Sequence, residues 1–559
     1  MLRHSPADDE TPMALPADFL PLDAIPEPLT SALRHTWERL TASLEQADNL
    51  ASMQGQEAPS ECWTALSPER CEQLARVLAV SGFAVETLVR HPEWLAHLDA
   101  EGELDAAPSE ATLRESLEER LEDAEDEAAM HAAIRRFRQA RMLGIVWRDL
   151  TRPQGIDMWH TSGAVSRLAE VCLEAALSWL EKHVEPRWGR PAARADGSEQ
   201  RLVVLGMGKL GAGELNLSSD IDLIFAFPEK GETQGGRKSL EHQEYFTKLG
   251  QKLIAALDAV TADGFAFRVD MRLRPLGDGG PLVGSFASLA GYYQDQAGSG
   301  SATPCSRRDR WPATWMPVMS CWRAAALRLS QVSRFRCHRV AARVEVDDQR
   351  EVKRRGMEGN IKLGPGGIRE VEFVVQAFQL IRGGRDTELQ VTSLRSALER
   401  LPALGLLPQE VVDELEPDYR FLRDLEHVLQ ALEDRQTQML PEGELERERV
   451  ALGLDMEDWP AVMGRLDEVR ARVRRHFDAV IADPEEEVEP DEGASETNSG
   501  VDLEEWRACG AGMKVRRRPW HCSRPVLRRG GGQPSSIDGI ASFSPGPEHA
   551  AHRLRALDA

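Results

Sequence analysis

Two aspartates separated by one residue stand at the start of an apolar segment, in the sequence SSDIDLIFAF. If this segment is a β-strand, Asp220 and Asp222 point to the same face, with carboxylates about 7 Å apart at a rise near 3.3 Å per residue. Like charges at this spacing repel unless a cation lies between them, and Mg²⁺ prefers carboxylate and phosphate oxygens. A D-x-D pair alone is also typical of a solvated strand end, so this prediction needs support from elsewhere in the chain.

A third aspartate, Asp270, lies in GFAFRVDMRLR, where the alternation of apolar and polar residues predicts a strand over 264–274. Its polar face also carries Arg268, Arg272 and Arg274, whose guanidinium groups can neutralise phosphate oxygens. Three carboxylates suit two metal ions, and such a pair of ions can clamp the attacking and departing oxygens of a displacement at phosphorus. The three aspartates therefore predict a magnesium-dependent site for this reaction type.

A glycine-rich turn, LGMGKLG, precedes the aspartate pair and has the spacing G-x-G-x-x-G after a short strand. A dinucleotide-binding Rossmann unit needs a full crossover helix before its next strand, and only residues 212–219 intervene here. The turn instead fits a phosphate cradle whose backbone N–H groups face a nucleotide. Lys209 either assists this binding or is a solvated lysine. The phosphate-binding candidates of this region are Gly206, Gly208, Lys209, Ser218 and Ser219.

A second glycine cluster, KLGPGGIREVEF, stands at the predicted entrance to a helix. Helix N-termini attract anions, so Lys362 or Arg369 is a candidate for a phosphate contact. The alternative is a plain loop before a structural helix. His427 lies beside Glu426 on an apolar helical face, and we interpret it as a structural histidine rather than a ligand.

The elements that must position these residues follow from periodicity. Strands are predicted over 201–206 and 220–227, and a helix over 242–262 separates them from the strand with Asp270. Apolar residues recur at helical spacing over 65–184 and again from 351 past 475. The pattern predicts an α+β protein with helical regions before and after a sheet.

Composition restricts the class of protein. A chain of 559 residues is too long for one core, so several domains are expected. The formal charge of −24 opposes a nucleic acid backbone, so no nucleic acid partner is expected. There is no apolar run of about 20 residues and no secretion signal in the first residues, which predicts no membrane association and a cytoplasmic location. Cys62, Cys71 and Cys172 are scattered singly and are interpreted as ordinary thiols.

At GMGKLGAGELNLSSDIDLIF the sequence resembles the nucleotidyltransferases, and among them the family of bifunctional glutamine synthetase adenylyltransferase/adenylyl-removing enzymes. The resemblance covers about 67–296 and 354–475. It implies a DNA polymerase β-like mixed sheet flanked by N-terminal and C-terminal all-helical domains. Further matching segments are LVRHPEWL, RRFRQARMLGIVWRDL, VDMRLRPLGDGGPLV, GYYQDQ, NIKLGPGGIREVEFVVQAFQLIRGGR and YRFLRDLEHVLQALEDRQTQMLP.

The resemblance also implies an activity. In this family one nucleotidyltransferase domain removes AMP from a glutamine synthetase tyrosine and a second one adds it, and only the first is expected here. Asp220, Asp222 and Asp270 would hold Mg²⁺ while inorganic phosphate attacks the tyrosyl-AMP ester, releasing ADP. The implied partners are adenylylated glutamine synthetase, the uridylylated PII signal protein, inorganic phosphate and ADP or ATP. The alternatives are a PII uridylyltransferase-like enzyme and a truncated regulatory module that binds glutamine synthetase or PII without turnover.

Two stretches depart from the family pattern. Residues 298–350 and 506–559 are rich in Arg, Cys, Trp and Pro where acidic and aliphatic residues are expected. Back-translation of the first stretch in another frame yields ERYALLKARPVAGDLDAGDELL, which resembles the family, so we interpret both stretches as frame-shifted. The expected domains are a helical region 1–190, a catalytic domain 191–300, the anomalous segment 301–350, a helical linker domain 351–482, and an acidic linker with a disordered tail 483–559.

Overall fold

The computed structural model describes residues 19–54, 58–296 and 359–481. In these ranges the chain is mostly helical, with a small mixed sheet between the earlier and later helices in sequence. No helix of these ranges is both long and apolar enough to cross a membrane. Cys62, Cys71 and Cys172 are free thiols, as predicted. The two anomalous stretches, from 301 to 350 and beyond 506, lie outside the described residues.

The helices before the sheet begin at capping residues that the sequence supplies. The side chains of Ser67, Ser109 and Asp126 accept backbone N–H groups of the first turns of their helices, which would otherwise lack partners. Apolar residues that recur at helical spacing over 65–184 are buried, among them Ile134 and Phe137. These elements are α1 (Glu27–Gln54), α2 (Pro59–Thr64), α3 (Pro68–Val80), α4 (Gly82–Arg90), α5 (Glu93–Ala100), α6 (Glu110–Glu122), α7 (Glu127–Thr151) and α8 (Met158–Trp188).

The sheet is built around one strand that is buried almost along its whole length. This strand, β3, pairs antiparallel with β2 and parallel with both β5 and β6, while β1 and β4 form a separate pair. Asp222 is the one residue of β3 that is not buried. The elements are β1 (Arg190–Pro191), β2 (Val203–Gly206), α9 (Gly208–Ala212), β3 (Ile221–Phe227), β4 (Thr233–Gln234), α10 (His242–Asp258), β5 (Val269–Asp270), β6 (Val283–Ser285) and α11 (Phe286–Gln296).

Two predictions about this region have different outcomes. The antiparallel pairing of β2 with β3 confirms that the glycine turn does not open a Rossmann unit, whose strands are parallel. The predicted strand over 264–274 is wrong for most of its length, because only Val269–Asp270 is extended and paired. The amides of Ala266 and Phe267 both donate to the Leu257 carbonyl. Beyond Asp270 the chain turns at once, so the apolar alternation continues where no strand partner exists.

The later helices pack on the earlier ones. The amide of Gly82 in α4 donates to the Leu432 carbonyl at 2.9 Å, and the Ser81 hydroxyl donates to the Ala431 carbonyl at 2.7 Å. Helices that are far apart in sequence thereby share one interface. The later helices are α12 (Ile368–Arg382), α13 (Leu394–Arg400), α14 (Gln409–Ala431), α15 (Glu444–Gly453) and α16 (Trp459–Ile481).

A buried arginine of α14 joins three parts of the chain. Arg423 has no exposed surface, and one of its terminal nitrogens donates to the Glu214 carbonyl at 2.8 Å and to the Ser162 hydroxyl at 3.2 Å. The same nitrogen donates to the side-chain oxygen of Asn216. Ser162 belongs to α8, and Glu214 and Asn216 belong to the loop 213–219 between α9 and β3. Arg423 therefore holds this loop between two helices.

Further side chains bind the amides of the same loop. The amide of Ser218 donates to the Gln430 side chain at 2.7 Å, and the amide of Leu215 donates to the Ser166 hydroxyl at 3.1 Å. Glu214 in turn accepts the amide of Leu394 at the start of α13 at 2.8 Å. Because the loop leads directly into β3, these bonds fix where β3 begins.

The packing of α10 on the sheet predicts a glycine requirement. A Cβ at Gly250 would lie 2.8 Å from the Phe225 ring, so we expect Gly250→Ala to lower the free energy of unfolding by about 1–3 kcal/mol through overpacking. Gly464 in α16 has open space at the same point, and there the better helix propensity of alanine should stabilise the protein by up to about 1 kcal/mol. Urea denaturation midpoints of the two variants would test this, and a shift of the same sign in both would contradict it.

The Arg423 network predicts a pH-dependent stability. Glu426 is fully buried and its carboxylate lies 3.4 Å from both the Arg423 and the Lys209 nitrogens. Burial acts to raise the pKa of Glu426, but the two cations outweigh it and lower the pKa to about 2. The folded state thus binds fewer protons at this group than the unfolded state. Its stabilisation is fully present above the ordinary carboxyl pKa and is lost as the pH falls through about 2.

We expect Glu426→Gln to lower the free energy of unfolding at pH 7 by about 3–5 kcal/mol, because two buried cations lose their carboxylate. The difference from the unchanged protein should shrink as the pH falls from about 4.5 to 2. Glu433→Gln is the matched control, since Glu433 pairs with Arg435 on the surface and its loss should cost at most about 0.5 kcal/mol. Urea midpoints measured at several pH values would refute the expectation if the difference stayed constant.

Candidate active site

The structure brings the three predicted aspartates to one end of the sheet. Asp222 of β3 and Asp270 of β5 are direct partners in the parallel pairing, so their Cα atoms are neighbours across the two strands. Asp220 lies two residues before Asp222, at the entrance to β3. The amide of Ile221 donates to the Arg268 carbonyl at 2.8 Å, which holds the two strands together at this point. A one-residue change of register would separate the carboxylates.

Each outer aspartate is bound by an arginine of the same region. The Arg268 Nε donates to Asp220 Oδ1 at 2.8 Å. The side-chain nitrogen of Gln436 donates to the same carboxylate at 3.2 Å when the amide is turned so that both its oxygen and its nitrogen have partners. Arg272 donates to Asp270 through its backbone amide and its side chain, both at 2.8 Å. The hydrogen bond from the Arg272 side chain lowers the pKa of Asp270. Asp270 is therefore held as an anion, and Asp220 is paired with the Arg268 guanidinium.

Asp222, between them, has the opposite character. Within the described ranges no side-chain hydrogen bond or ion pair reaches its carboxylate. Burial, followed by the charges of Asp270 and Asp220, raises the pKa of Asp222 to about 6. The charges of Arg272 and Lys362 act against this rise but do not cancel it. The centre of the site thus carries a negative charge that the neighbouring side chains leave uncompensated.

This charge distribution bears on the predicted metal. Over residues 19–54, 58–296 and 359–481, no three acidic, histidine or cysteine side chains are grouped so that they hold an ion as they stand. Arg268 and Arg272 are paired with the two outer carboxylates. The donors are nevertheless all carboxylate oxygens, as Mg²⁺ prefers, and the side chain of Arg272 is 76% exposed and can turn into solvent. The donor set therefore fits a hard divalent cation at Asp222.

The glycine turn lies directly against Asp222. Gly208 has a φ of 52°, and a Cβ at this position would lie 2.9 Å from Asp222 Oδ2. A Cβ at Gly211 would lie 2.6 Å from the Gly206 carbonyl oxygen. The amide of Met207 donates to the Asp222 carbonyl at 2.8 Å. The glycines thus allow the short helix α9 to begin in contact with the central carboxylate.

Lys209 is neither solvated nor directed at the aspartates. Its Nζ lies 3.4 Å from the buried Glu426 carboxylate, and its side chain is 20% exposed. Burial, with the nearby Arg423 charge, lowers the pKa of Lys209 to about 8. The side chain borders a cleft of about 140 Å³ between α9 and α12. Glu372 of α12 and Thr392 line the opposite side of this cleft.

The two serines before the aspartates serve the loop itself. Ser218 is 2% exposed, and its hydroxyl donates to the Asp434 carbonyl at 3.1 Å while accepting the Arg268 Nη2 at 3.0 Å. The Ser219 hydroxyl accepts the Asn216 amide at 3.1 Å. The Ser218 hydroxyl is therefore already engaged by protein groups, in contrast to the phosphate contact that the sequence predicted.

The remaining predicted basic residues have different surroundings. Lys362 is half-buried, and its charge acts to lower the pKa of Asp222. Arg274 donates to the Met271 carbonyl at 2.7 Å and pairs with Asp278. Arg369 is exposed on the first turn of α12, which begins after Gly367 as predicted.

His427 is structural, as interpreted from the sequence. Its Nδ1 lies 3.2 Å from Asp149 Oδ1, and both side chains are buried between α14 and α7. The charge of His427 helps to lower the pKa of Asp149 against the effect of burial. The pair joins two helices and does not face the aspartates through any described contact.

Sequence reasoning missed the polar stripe of α14 that supports the site. Tyr419, Arg423, Glu426 and Gln430 are separated by three or four residues and are all completely buried. In the segment YRFLRDLEHVLQALEDRQ, polar residues at helical spacing on the apolar side of a periodic helix were the available signal. Buried polar side chains require partners, so such a stripe predicts a polar neighbour.

Family models match both the sheet region and the later helices of this chain. Residues 71–299, which hold the aspartates, match the family model described as glutamate-ammonia ligase adenylyltransferase. Residues 338–481 match the model described as GlnD PII-uridylyltransferase. The first match covers α3 to α11 of the described ranges, and the second covers α12 to α16.

Several curated proteins named bifunctional glutamine synthetase adenylyltransferase/adenylyl-removing enzyme are similar to this chain. The protein of Pseudomonas aeruginosa is 48% identical over 430 residues, which are 75% of this chain and 43% of that protein. The protein of Pseudomonas syringae pv. tomato is 43% identical over 508 residues, 88% of this chain and 49% of that protein. The protein of Hahella chejuensis is 43% identical over 445 residues, 77% of this chain and 44% of that protein.

The chain spans less than half the length of these relatives in the matched region. The matches nevertheless run through the sheet, the three aspartates and the helices that support them. This chain belongs to the glutamine synthetase adenylyltransferase family of nucleotidyltransferase enzymes.

Proposed function

We propose that this chain is the adenylyl-removing part of its family, acting by phosphorolysis of the AMP-tyrosine ester on glutamine synthetase. The observation that carries the proposal is the pairing of Asp222 with Asp270 across parallel strands, with Asp220 two residues before. This arrangement supports a displacement at phosphorus. The curated relatives are named for adding and removing adenylyl groups on glutamine synthetase, which supports this substrate.

In the proposed reaction an oxygen of inorganic phosphate forms a bond to the phosphorus of AMP while the bond from phosphorus to the tyrosine oxygen breaks. The products are ADP and unmodified glutamine synthetase, whose phenolate takes a proton from solvent. Inorganic phosphate is already an anion at neutral pH, so the step depends on charge neutralisation more than on a general base. Bound Mg²⁺ would supply this neutralisation at the phosphate oxygens.

The side chains of the site have separate tasks in this proposal. Asp220, Asp222 and Asp270 would hold the cation, and Arg272 would leave Asp270 to bind an incoming phosphate oxygen. Lys362, which already acts on Asp222, would contact the same anion. The first turn of α9, with Gly208 and Lys209, would face the AMP phosphate. Arg274, whose charge acts on Asp270, and Arg369 remain candidates for phosphate contacts.

The cleft beside Lys209 is the proposed place of the nucleoside. It has a volume of about 140 Å³ and begins at Gly208, whose Cα is adjacent to Asp222. Val375 and Val391 provide apolar surface, and Glu372 and Thr392 provide polar groups. A ligand with a phosphate at α9 and an apolar ring system farther along the cleft would contact both the polar and the apolar residues that line it.

The finer fold and cellular setting belong to the same proposal. The mixed sheet, with its carboxylates on adjacent strands, supports a DNA polymerase β-like domain flanked by helical domains. The expected regulator is the PII signal protein in its uridylylated form, with a cytoplasmic location for all partners. The match of the helical residues to a PII-uridylyltransferase model supports a link with PII.

A PII uridylyltransferase-like activity is the second candidate, and that same match favours it. The residues that hold the aspartates match the adenylyltransferase model instead. Incubating the chain with UTP and unmodified PII, and following UMP transfer, distinguishes the two candidates. Transfer of UMP in this assay would replace the adenylyl-removing proposal.

The primary test is phosphate-dependent release of ADP from adenylylated glutamine synthetase, with Mg²⁺ and uridylylated PII present. We expect Asp222→Asn and Asp220→Asn each to reduce the release by about 100-fold or more. Loss of either carboxylate would weaken the binding of Mg²⁺, and the charge on the reacting phosphate would then be left unneutralised. Asp196→Asn is the matched control, since Asp196 is exposed and bound to Ser198 away from the sheet end.

Release that all three variants retain would contradict the assignment of the aspartates. A chain that folds and binds glutamine synthetase or PII, but releases no ADP, would instead be the truncated regulatory module.

The glycine turn generates a second prediction. Gly208 and Gly213 both have a positive φ, so alanine at either position should destabilise the chain by about 1–2 kcal/mol. Only Gly208→Ala also places a Cβ against Asp222, and we expect it to reduce ADP release by about 10–100-fold further. Gly213 has open space at its Cβ, which makes Gly213→Ala the control for backbone strain. Equal losses of activity in both variants would exclude a role for the close approach.

A further inference from the structure

The turn that follows α14 is anchored in the helical part of the chain. Asp434 has a φ of 49°, a backbone conformation that aspartate tolerates better than most residues. Its carboxylate lies 3.2 Å from the guanidinium of Arg138, which belongs to α7 and is 3% exposed. The guanidinium of Arg138 also packs against the rings of Phe265 and Phe267. The direction of the Asp434 carbonyl is thereby fixed.

This carbonyl begins a chain of hydrogen bonds that ends on a site carboxylate. The Ser218 hydroxyl donates to the Asp434 carbonyl at 3.1 Å, and it accepts the Arg268 Nη2 at 3.0 Å. The Nε of the same guanidinium donates to Asp220 Oδ1 at 2.8 Å. Two residues after Asp434, the Gln436 amide donates to the same carboxylate at 3.2 Å. The turn therefore reaches Asp220 by two routes.

We propose that Ser218 and Asp434 are positioning residues for Asp220, through which the α7–α14 interface sets the direction of a metal-binding carboxylate. The inference rests on the proposed function, because it assigns Asp220 to the cation. It differs from the phosphate contact predicted for Ser218, whose single hydroxyl proton is already donated to the Asp434 carbonyl. Outer partners of this kind commonly change metal affinity by about 10–100-fold when they are removed.

The geometry also explains why these groups are suited to the task. Ser218 is held at its amide by Gln430 of α14 and at its hydroxyl by Asp434 of the turn that follows this helix. A serine fixed in this way leaves one direction for the Arg268 guanidinium. Without the hydroxyl, Arg268 is free to pair with Asp220 in other geometries, and Asp220 loses the orientation in which it faces Asp222.

The first experiment measures Mn²⁺ binding by electron paramagnetic resonance on the full chain. We expect Ser218→Ala to raise the Mn²⁺ dissociation constant by about 10-fold or more. Asp434→Asn keeps the positive φ accessible but removes the charge that pairs with Arg138, and it should have a smaller effect in the same direction. Because Ser218 and the turn with Asp434 both act on the Arg268 guanidinium, the loss of Mn²⁺ affinity in the double variant should be smaller than the product of the two single losses.

Ser81→Ala is the matched control. Ser81 is also completely buried and its hydroxyl donates to the Ala431 carbonyl at 2.7 Å, three residues before Asp434. It also caps α4, so its loss should lower stability at least as much as the loss of Ser218. Its bonds do not lead to Asp220, and we expect the Mn²⁺ affinity to stay within about twofold. An equal loss of affinity in Ser81→Ala and Ser218→Ala would overturn the inference.

A second measurement separates this inference from the proposed function. In urea denaturation, the midpoint shifts of Ser218→Ala and Asp220→Asn should not add in the double variant, because both disturb the same Arg268 guanidinium. Additive shifts overturn the positioning role. Non-additive shifts, together with Mn²⁺ binding that Asp222→Asn leaves unchanged, uphold the connection to Asp220 and refute the metal site of the proposed function.

Discussion

The guanidinium of Arg423 is buried between α14, α8 and the loop that leads into β3, and it bonds to all three. A buried charge of this kind is costly unless it is paired and hydrogen-bonded. The loop carbonyl, Asn216, Ser162 and Tyr419 accept from the terminal nitrogens of Arg423, and the Glu426 carboxylate lies 3.4 Å from its Nε. This requirement ties the start of β3 to two helices that are distant in sequence. The position of Asp220 and Asp222 therefore depends on the helices as much as on the sheet.

Charged side chains near the loop stabilise the helical interface, and others at the end of the sheet belong to the candidate site. Glu426 compensates Arg423 and Lys209 together, so it stays ionised despite complete burial. At the sheet end the balance is reversed, because burial and then the charges of Asp270 and Asp220 raise the pKa of Asp222. The protein thus satisfies its cations inside the helical interface and leaves a negative charge uncompensated beside the cleft. In the proposed function, a divalent cation with a phosphate ligand would complement that charge.

The matches to two family models divide the chain between the sheet and the later helices. The aspartates lie in the part that matches the adenylyltransferase model, and the polar stripe of α14 lies in the part that matches the PII-uridylyltransferase model. Each part holds polar groups that only the other satisfies, such as the Ser218 amide and the Gln430 side chain. The hydrogen bonds of Ser218 thereby connect the later helices to the region of the carboxylates.

Local sequence determined the helices, the strands β2 and β3, and the aspartate pair on one face, because periodicity and alternation report burial directly. It also excluded a Rossmann unit from the length of the segment after the glycine turn. Tertiary structure decided the rest. The strand expected over 264–274 shrank to Val269–Asp270 because Leu257 and the turn after Asp270 take its hydrogen bonds, which alternation cannot reveal. Ser218, Lys209 and the α14 stripe acquired their roles from partners roughly 200 or more residues away, and a single sequence does not specify which buried polar groups will meet.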